Sequence, residues 1–430
     1  MSLKMYLNRK LETARKLFYY HVVINFLKIK KEILTAITPG TKKYDFVIID
    51  DATPKYLTGF RDYEFSGFLR NIDNVALFGI IGDKVSKLKH YDYFPIKTIE
   101  EFEVKKDEFA KEYKVAPEKI QPFYPWTKVN AKLAYVVFLT NGIFLIDYLE
   151  KRKIKFILEL YPGGSFSILA EGKPFEDLKK VLGSPMLEKV IVNQVISKEF
   201  LLEHNLCDKD KIAYLHGGFL SPDLLILPDK DIFYPKDKPT IDVCFTAAKY
   251  TPRGENKGYD LFLDMAYILL AENKNFRFHI VGGYNEHDIP LKPEFRKYFH
   301  YNGLLKNREF AQFYADKDIF VCPVRPNMLG KGVFDGFPTG TSCEAGLNGL
   351  CLVLSDPLNQ NVVFKDKENA IFLNNDPQEF ADAVLKLASN PELIYGMGKK
   401  GKTTLQMQYQ HKSQFDFRFN IINSFLSKER

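Results

Sequence analysis

Residues 335–356 read DGFPTGTSCEAGLNGLCLVLSD, a turn, a helix start and a buried strand in succession. The amide-rich segment Gly336, Phe337, Pro338, Thr339, Gly340, Thr341 leads into a helix predicted to begin near Ser342, and LCLVLSD (350–356) reads as the strand that follows. Helix N-termini and runs of backbone N–H groups hold phosphates. Asp335 stands before the turn, and Glu344 lies about one turn into the helix. An acceptor-only carboxylate there suits two vicinal ribose hydroxyls. The plain alternative is ordinary capping, since the helix dipole favours Glu near a helix start.

Outward from this run, short apolar segments alternate with amphipathic ones. Strands are predicted at DFVIID (45–50), AYVVFL (134–139), KFILEL (155–160), VIVNQ (190–194) and KIAYLH (211–216). Further strands are predicted at IDVCFTAA (241–248), FRFHIVGG (276–283), FHYNG (299–303), DIFVCPV (318–324) and LCLVLSD. Helical patterns such as FLIDYLEKR, ISKEFLLEHN, YDLFLDMAYILLAEN and NREFAQFYADKD sit between them. Alternation of this kind implies parallel sheets covered by helices, and near-continuous apolar strands fit sheets buried on both faces. The Pro-, Asp- and Lys-rich stretch 221–240 breaks the alternation. The expected organisation is a basic helical segment at 1–43, an α/β half at 44–226, a linker at 227–239, a second α/β half at 240–405, and a C-terminal helix at 406–430 packing back on the first half.

Charge is uneven along the 430 residues. Residues 1–43 hold ten Lys/Arg and two Asp/Glu, so they carry +8 of a net +7 and leave −1 for the other 387. A nearly neutral body argues against a general nucleic-acid surface. The segment RKLETARKLFYYHVVINFLKIKKEIL (9–34) mixes cations with aromatic residues. It reads either as an amphipathic helix lying on an anionic membrane or as a helix packed on the body with solvated charges. Five Cys (207, 244, 322, 343, 351) form no metal-spaced pair, and several lie in apolar runs, as expected for packing residues in a reducing compartment. No secretory signal is visible, and the longest apolar stretch, 134–149, is too interrupted to span a bilayer. The expected location is the cytoplasm, at most peripheral to a membrane.

Two other constellations could bear chemistry. In AAKYTPRGENKGYD (247–260), Lys249, Arg253 and Lys257 follow a strand end with Gly254 and Gly258 interleaved. Ligands of open α/β sheets sit at strand carboxyl ends, and cations there can neutralise a diphosphate. In HIVGGYNE (279–286), Gly282 and Gly283 let backbone approach a ligand, or simply turn the chain. The Asp50–Asp51 pair could suggest metal binding but reads better as structural or substrate-binding. Trp126 and Cys343 read as packing, and the eight His form no ligand set.

DGFPTGTSCEAG followed by a strand and Ser-Asp resembles the E-x7-E region of retaining family-4 glycosyltransferases, which share the two-Rossmann GT-B fold. KYTPRGENKG resembles their diphosphate-binding segment, and FRFHIVGG with FHYNGLLKNREFAQFYADKDIFVCPV is similar to the next two β–α steps. LELYPGGSF (158–166) resembles a loop of polysaccharide-building members. The resemblance implies an α/β GT-B architecture, two Rossmann-like domains facing across a cleft. It implies that Lys249 and Lys257 bind the donor diphosphate with Arg253 as helper, that Glu344 holds the ribose, and that Asp335 faces the transferred sugar. Backbone at Gly282–Gly283 and around Asn302, Gly303 and Leu304 would meet the nucleotide, with the base at the second, and Gly336 to Thr341 would line the phosphates. On the acceptor or sugar side the candidates are Thr140, Asn141, Tyr161, Gly163, Gly164 and His216.

Departures from the family pattern are specific. Asp335 stands nine positions before Glu344 rather than eight, where Gly336 lies; Lys249 replaces the usual Arg; and IIDDATP replaces a Gly-Gly loop. VFLTNG (137–142) occupies the place of the family's cleft histidine. The resemblance implies a hexosyltransferase that uses a UDP- or GDP-linked sugar, with neither metal nor cofactor, and a glycan or lipid-linked acceptor in bacterial surface-polysaccharide or glycoconjugate assembly. The alternatives are a sugar-nucleotide epimerase on the same fold, or a weakly catalytic subunit that docks a glycosyltransferase at the membrane.

Overall fold

The computed structural model describes residues 42–55, 59–82 and 94–428. Apart from Lys42 and Lys43, the basic segment read at 1–43 lies outside the described residues. The first half comprises β1 (Lys43–Asp50), α1 (Phe60–Asn71), β2 (Val75–Ile80), α2 (Ile99–Tyr113), β3 (Ile120–Phe123), β4 (Asn130–Val137) and α3 (Leu139–Arg152). It continues with β5 (Lys155–Leu160), α4 (Lys173–Leu182), β6 (Leu187–Val192), α5 (Val195–Glu203), β7 (Ile212–Tyr214) and α6 (Pro222–Leu225). The second contains β8 (Ile241–Thr246), α7 (Tyr259–Glu272), β9 (Phe276–Val281), β10 (Phe299–Tyr301), α8 (Phe310–Tyr314), β11 (Ile319–Cys322) and α9 (Gly340–Leu347). It ends with β12 (Cys351–Ser355), β13 (Ile371–Leu373), α10 (Pro377–Ala388), α11 (Pro391–Gln408) and α12 (His411–Lys428).

The two sheets have the same winding. The first runs β3-β2-β1-β4-β5-β6-β7 and the second β10-β9-β8-β11-β12-β13, with every pairing parallel. Each therefore reverses strand order once, between β1 and β4 and between β8 and β11, which is the doubly wound Rossmann arrangement. Strand alternation feeds a core on each face: Val47 and Ile49 pack into one, Phe46 and Ile48 into the other. In β8, Val243 and Phe245 face one core, and Cys244 packs as a small buried hydrophobe in the other.

Three strands lie outside the sequence expectation. β3 is four residues long and contains Pro122, and β13 has three residues, so neither shows a period. β2, VALFGI, is entirely buried, and its apolar run is a legible strand signal. The segment expected as a C-terminal helix, 406–430, holds α12, and α11 precedes it. α11 packs on α9 and β12 in the second half, and α12 crosses to pack on α1 and β4 in the first.

α12 carries a fully buried arginine. Arg418 Nη2 stands 2.8 Å from Glu159 and Nε 3.1 Å from Glu64, with all three side chains withdrawn from solvent. Tyr135 Oη lies 2.5 Å from Glu64 and 2.6 Å from Glu159. One phenol carries one proton, so one of these contacts needs a proton on a carboxyl group. Burial raises the Glu64 carboxyl, which favours that proton on Glu64, and Arg418 stands closest to Glu159. Removing one partner of such a pair strands the other as an uncompensated charge. Arg418→Leu is therefore expected to lower unfolding free energy by about 3–5 kcal/mol, read from denaturant melts. Wild-type stability in that variant would show that the pair contributes nothing.

Candidate active site

Parallel winding places the carboxyl ends of both sheets toward one interdomain cleft of about 1500 Å³. From the second half it is lined by Thr246 to Ala248 after β8, Gly282 after β9, Cys322 and Val324 around the end of β11, and the turn into α9. From the first half come Phe60, Tyr63, Tyr161, Asn193, Gln194 and the Gly217–Gly218 turn. This is the switch-point location where α/β sheets bind ligands.

Lys257 reaches the cleft from a single 3₁₀ turn, Glu255–Lys257, flanked by Gly254 and Gly258 at φ 71° and 74°. Both glycines are in the left-handed region, and a Cβ on Gly258 would stand 2.1 Å from the carbonyl oxygen of Pro323. The interleaved glycines seen in the sequence thus aim this turn. Arg325 braces it, donating from Nε to the Glu255 carbonyl at 2.8 Å and from Nη2 to Asp260 at 2.5 Å. Lys257 Nζ lies 2.6 Å from Asp335 Oδ1 and 5.3 Å from the centre of the Tyr250 ring. A carboxylate and an aromatic face hold the ammonium in place.

The turn before α9 behaves as a capped helix start. Thr339 accepts from the Ser342 amide at 3.2 Å and its carbonyl accepts from the Cys343 amide, which leaves the Gly340 and Thr341 amides without a partner among the described residues. Glu344 opens onto the same cleft, and burial raises its carboxyl to about 7. Asp335, Lys257, Gly336, Pro338 to Thr341 and Glu344 are thus brought together, with Gly282 and Leu304 on the wall.

Other candidates lie elsewhere. Lys249 is outside the cleft lining and pairs with Asp288 at 2.7 Å. The Arg253 side chain is 60% exposed beside Glu255. Gly283, Asn302 and Gly303 are outside the lining, and Phe337 is buried against Phe372, supporting the turn from behind. Of the six first-half candidates, Tyr161 alone lines the cleft. Thr140 contacts Ser165, and Asn141 is fully buried, donating to Asp51 and the Val137 carbonyl. Gly163 and Gly164 form a turn beyond the lining. His216 sits behind the cleft, and burial lowers it to about 4. The Asp50–Asp51 pair is closed by Arg61 at 2.9 and 2.7 Å. Among the described residues no group of three His, Cys, Asp or Glu could hold a metal ion, and no helix is long and apolar enough to cross a membrane.

Sequence reasoning missed Asn193, Gln194, Tyr63 and Tyr250. VIVNQ ends a strand in two amides, and polar residues at a strand's carboxyl end were a usable signal. Nothing in the sequence marks Tyr63 or Tyr250.

Residues 242–390 match the family model of Glycosyl transferases group 1. The chain carries a glycosyltransferase domain. No curated protein matches the chain by sequence. Among solved structures, HepE of Anabaena in complex with UDP is 12% identical, covers 89% of this chain and 100% of its own, and has a TM-score of 0.60. Sucrose-phosphate synthase from Thermosynechococcus elongatus is 12% identical, with coverage of 90% and 100% and a TM-score of 0.60. TarM, of S. aureus, is 16% identical over 68% of this chain, with a TM-score of 0.52. This chain spans about half of TarM, 55% of its length. These likenesses establish the fold as GT-B, two Rossmann-like domains across a cleft.

Glu344 gives the glycosyltransferase domain a pH signature. Its folded value of about 7 lies above the ordinary 4.5, so between these values the folded state holds a proton that the unfolded state has released. Stability contributed by the protonated carboxyl is present below about 4.5 and is lost as pH rises through about 7. Glu344→Gln should match wild type at the acid end and exceed it above neutrality, by at most about 3 kcal/mol. Melts across that range check this; a constant difference at every pH would remove Glu344 as the titrating group.

Proposed function

We propose that the chain is a retaining glycosyltransferase that moves a hexosyl-type sugar from a UDP- or GDP-linked donor to a glycan or lipid-linked acceptor, in bacterial surface-polysaccharide or glycoconjugate assembly. The observation that carries this reading is the convergence of Lys257 and the free Gly340 and Thr341 amides on the cleft that Glu344 also faces. HepE crystallised with UDP, and TarM with UDP and alpha-GlcNAc-glycerol, support a nucleotide-sugar donor and a glycan acceptor.

Transfer builds negative charge on the departing diphosphate. Lys257 and the Gly340 and Thr341 amides are fixed dipoles and charge at that position, so they need no reorganisation when the charge develops. Asp335 keeps the ammonium there before the donor arrives, and Glu344 accepts from the ribose hydroxyls. In the proposed mechanism the first half offers an acceptor hydroxyl to the sugar face from which the diphosphate leaves, which retains configuration. The C1–O bond to phosphate breaks, the acceptor oxygen bonds to C1, and the hydroxyl proton passes to the departing phosphate oxygen. Closure of the halves excludes water and limits hydrolysis.

The same groups balance phosphate charge without a metal ion, so the proposed reaction uses neither metal nor other cofactor. Lys257→Ala should weaken UDP or GDP binding by about 1.5–3 kcal/mol, the usual loss for a hydrogen bond to a charged group, and abolish transfer. Wild-type turnover should persist in EDTA. Unchanged calorimetric affinity in Lys257→Ala would remove the donor site, and metal-reversible loss of turnover in EDTA would remove the metal-free mechanism.

The +8 segment at 1–43 is proposed to place the enzyme peripherally on the cytoplasmic face of an anionic membrane, where lipid-linked acceptors sit. Each cation near such a surface adds about 1 kcal/mol. Flotation with anionic vesicles should lift the full chain at low salt, and should fail when Arg15, Lys16, Lys28, Lys30 and Lys31 are changed to Gln. Equal behaviour of the two proteins would leave the charges merely solvated.

A further inference from the structure

The end of β6 leaves two neutral amides facing the cleft with their carbonyl oxygens unsatisfied. Asn193 is 4% exposed and Gln194 2%, yet Asn193 Oδ1 and Gln194 Oε1 have no hydrogen-bond partner among the described residues. Both residues line the cleft. Gln194 occupies the N-cap position of α5 without using its side chain to cap that helix. The Asn193 backbone carbonyl accepts from the Gly217 amide at 3.1 Å. A buried amide oxygen left unpaired disfavours the folded state, and such groups are rare unless a ligand or water completes them.

The opposite wall makes room for these amides. A Cβ on Gly336 would stand 2.9 Å from Gln194 Nε2, so the residue beside Asp335 must lack a side chain for the amide to sit there. Gly336 is thus explained by an approach from the other half, in addition to its place in the turn. Carbonyl oxygens repel phosphate and carboxylate, so the fitting ligand groups are neutral donors. Hydroxyl groups meet this requirement, since they donate to Oδ1 and Oε1 and accept from the paired amide nitrogens. Tyr161 and Pro162 add an apolar surface next to the amides.

We propose that Asn193 and Gln194 form a sugar-recognition site that binds hydroxyls of the transferred hexosyl group, across the cleft from Asp335. The assignment rests on the donor reading above. It makes the pair specificity-determining: the first half, which holds no part of the nucleotide site, selects the sugar. It also couples sugar recognition to closure, because Gln194 meets Gly336 only when the two halves are together.

The experiment uses the full chain and the variants Asn193→Ala, Gln194→Ala and Gln194→Glu. Calorimetry would compare UDP and GDP with UDP-glucose, UDP-N-acetylglucosamine and GDP-mannose, alongside melting temperatures without ligand. The expected result is nucleoside diphosphate affinity equal to wild type, with sugar-nucleotide affinity or kcat/KM lowered roughly tenfold by either alanine. Unliganded melting temperatures should hold or rise, because an unsatisfied amide has been removed. A structural role would instead lower them, and a fall in melting temperature with equal losses for nucleotide and sugar nucleotide would overturn the assignment. Unchanged sugar-nucleotide binding and kcat/KM, or a change confined to the acceptor KM, would overturn it as well. If wild type bound the sugar nucleotides no better than it binds buffer, and UDP and GDP likewise, the donor reading itself would fall and take this site with it.

Discussion

All strands in both sheets run parallel to their neighbours, and the rest of the structure depends on that constraint. Parallel pairing forbids tight hairpins, so every connection must cross the sheet and every strand ends on the same side. The carboxyl ends then become the place where loops gather. Here two such edges face one another, so turns far apart in sequence, such as those after β6 and before α9, meet across one cleft. The chemistry is distributed accordingly. The second half supplies a fixed cation, free helix amides and a carboxylate, while the first supplies aromatic and amide groups.

Within the second half, local sequence determines the site closely. Gly254 and Gly258 bend a three-residue turn so that Lys257 enters the cleft, and Arg325 clamps that turn from the exit of β11. Lys249 shows how narrow this control is. It lies eight residues earlier, carries the same charge, and is held by Asp288 outside the cleft. A cation's presence in a motif therefore says less than the turn that aims it.

This contrast explains what was legible in the sequence. Long apolar strands alternating with helices revealed two parallel sheets, because burial on both faces forces an unbroken apolar run. The turn from Asp335 to Thr341 was legible because helix starts and glycine-rich turns are local devices. β3 and β13 were not, being four- and three-residue edge strands defined by their partners. The first-half candidates fared poorly for a related reason. Thr140 and Asn141 stand near a switch point, but a short hop in side-chain direction turned Asn141 toward Asp51 and Thr140 toward Ser165. Tyr63 faces the cleft through tertiary packing alone. Gln194 becomes meaningful only when Gly336, 142 positions later, is placed beside it.

The buried arginine of α12 bears on the order in which the protein is made. Domains generally fold as units while the chain emerges, the first before the second. Glu159, on a central strand of the first sheet, finds its counter-charge 259 residues later, at Arg418. At a synthesis rate of about 5–20 residues per second, the first half waits on the order of tens of seconds for that partner. During this interval Glu159 and Glu64 lack Arg418, and the apolar residues that pack against Phe415 and Ile422 lack those partners. The second half can be complete before the first has closed. The donor-side machinery is thus in place early, and a cleft with two finished walls exists only once the last helix has been laid down.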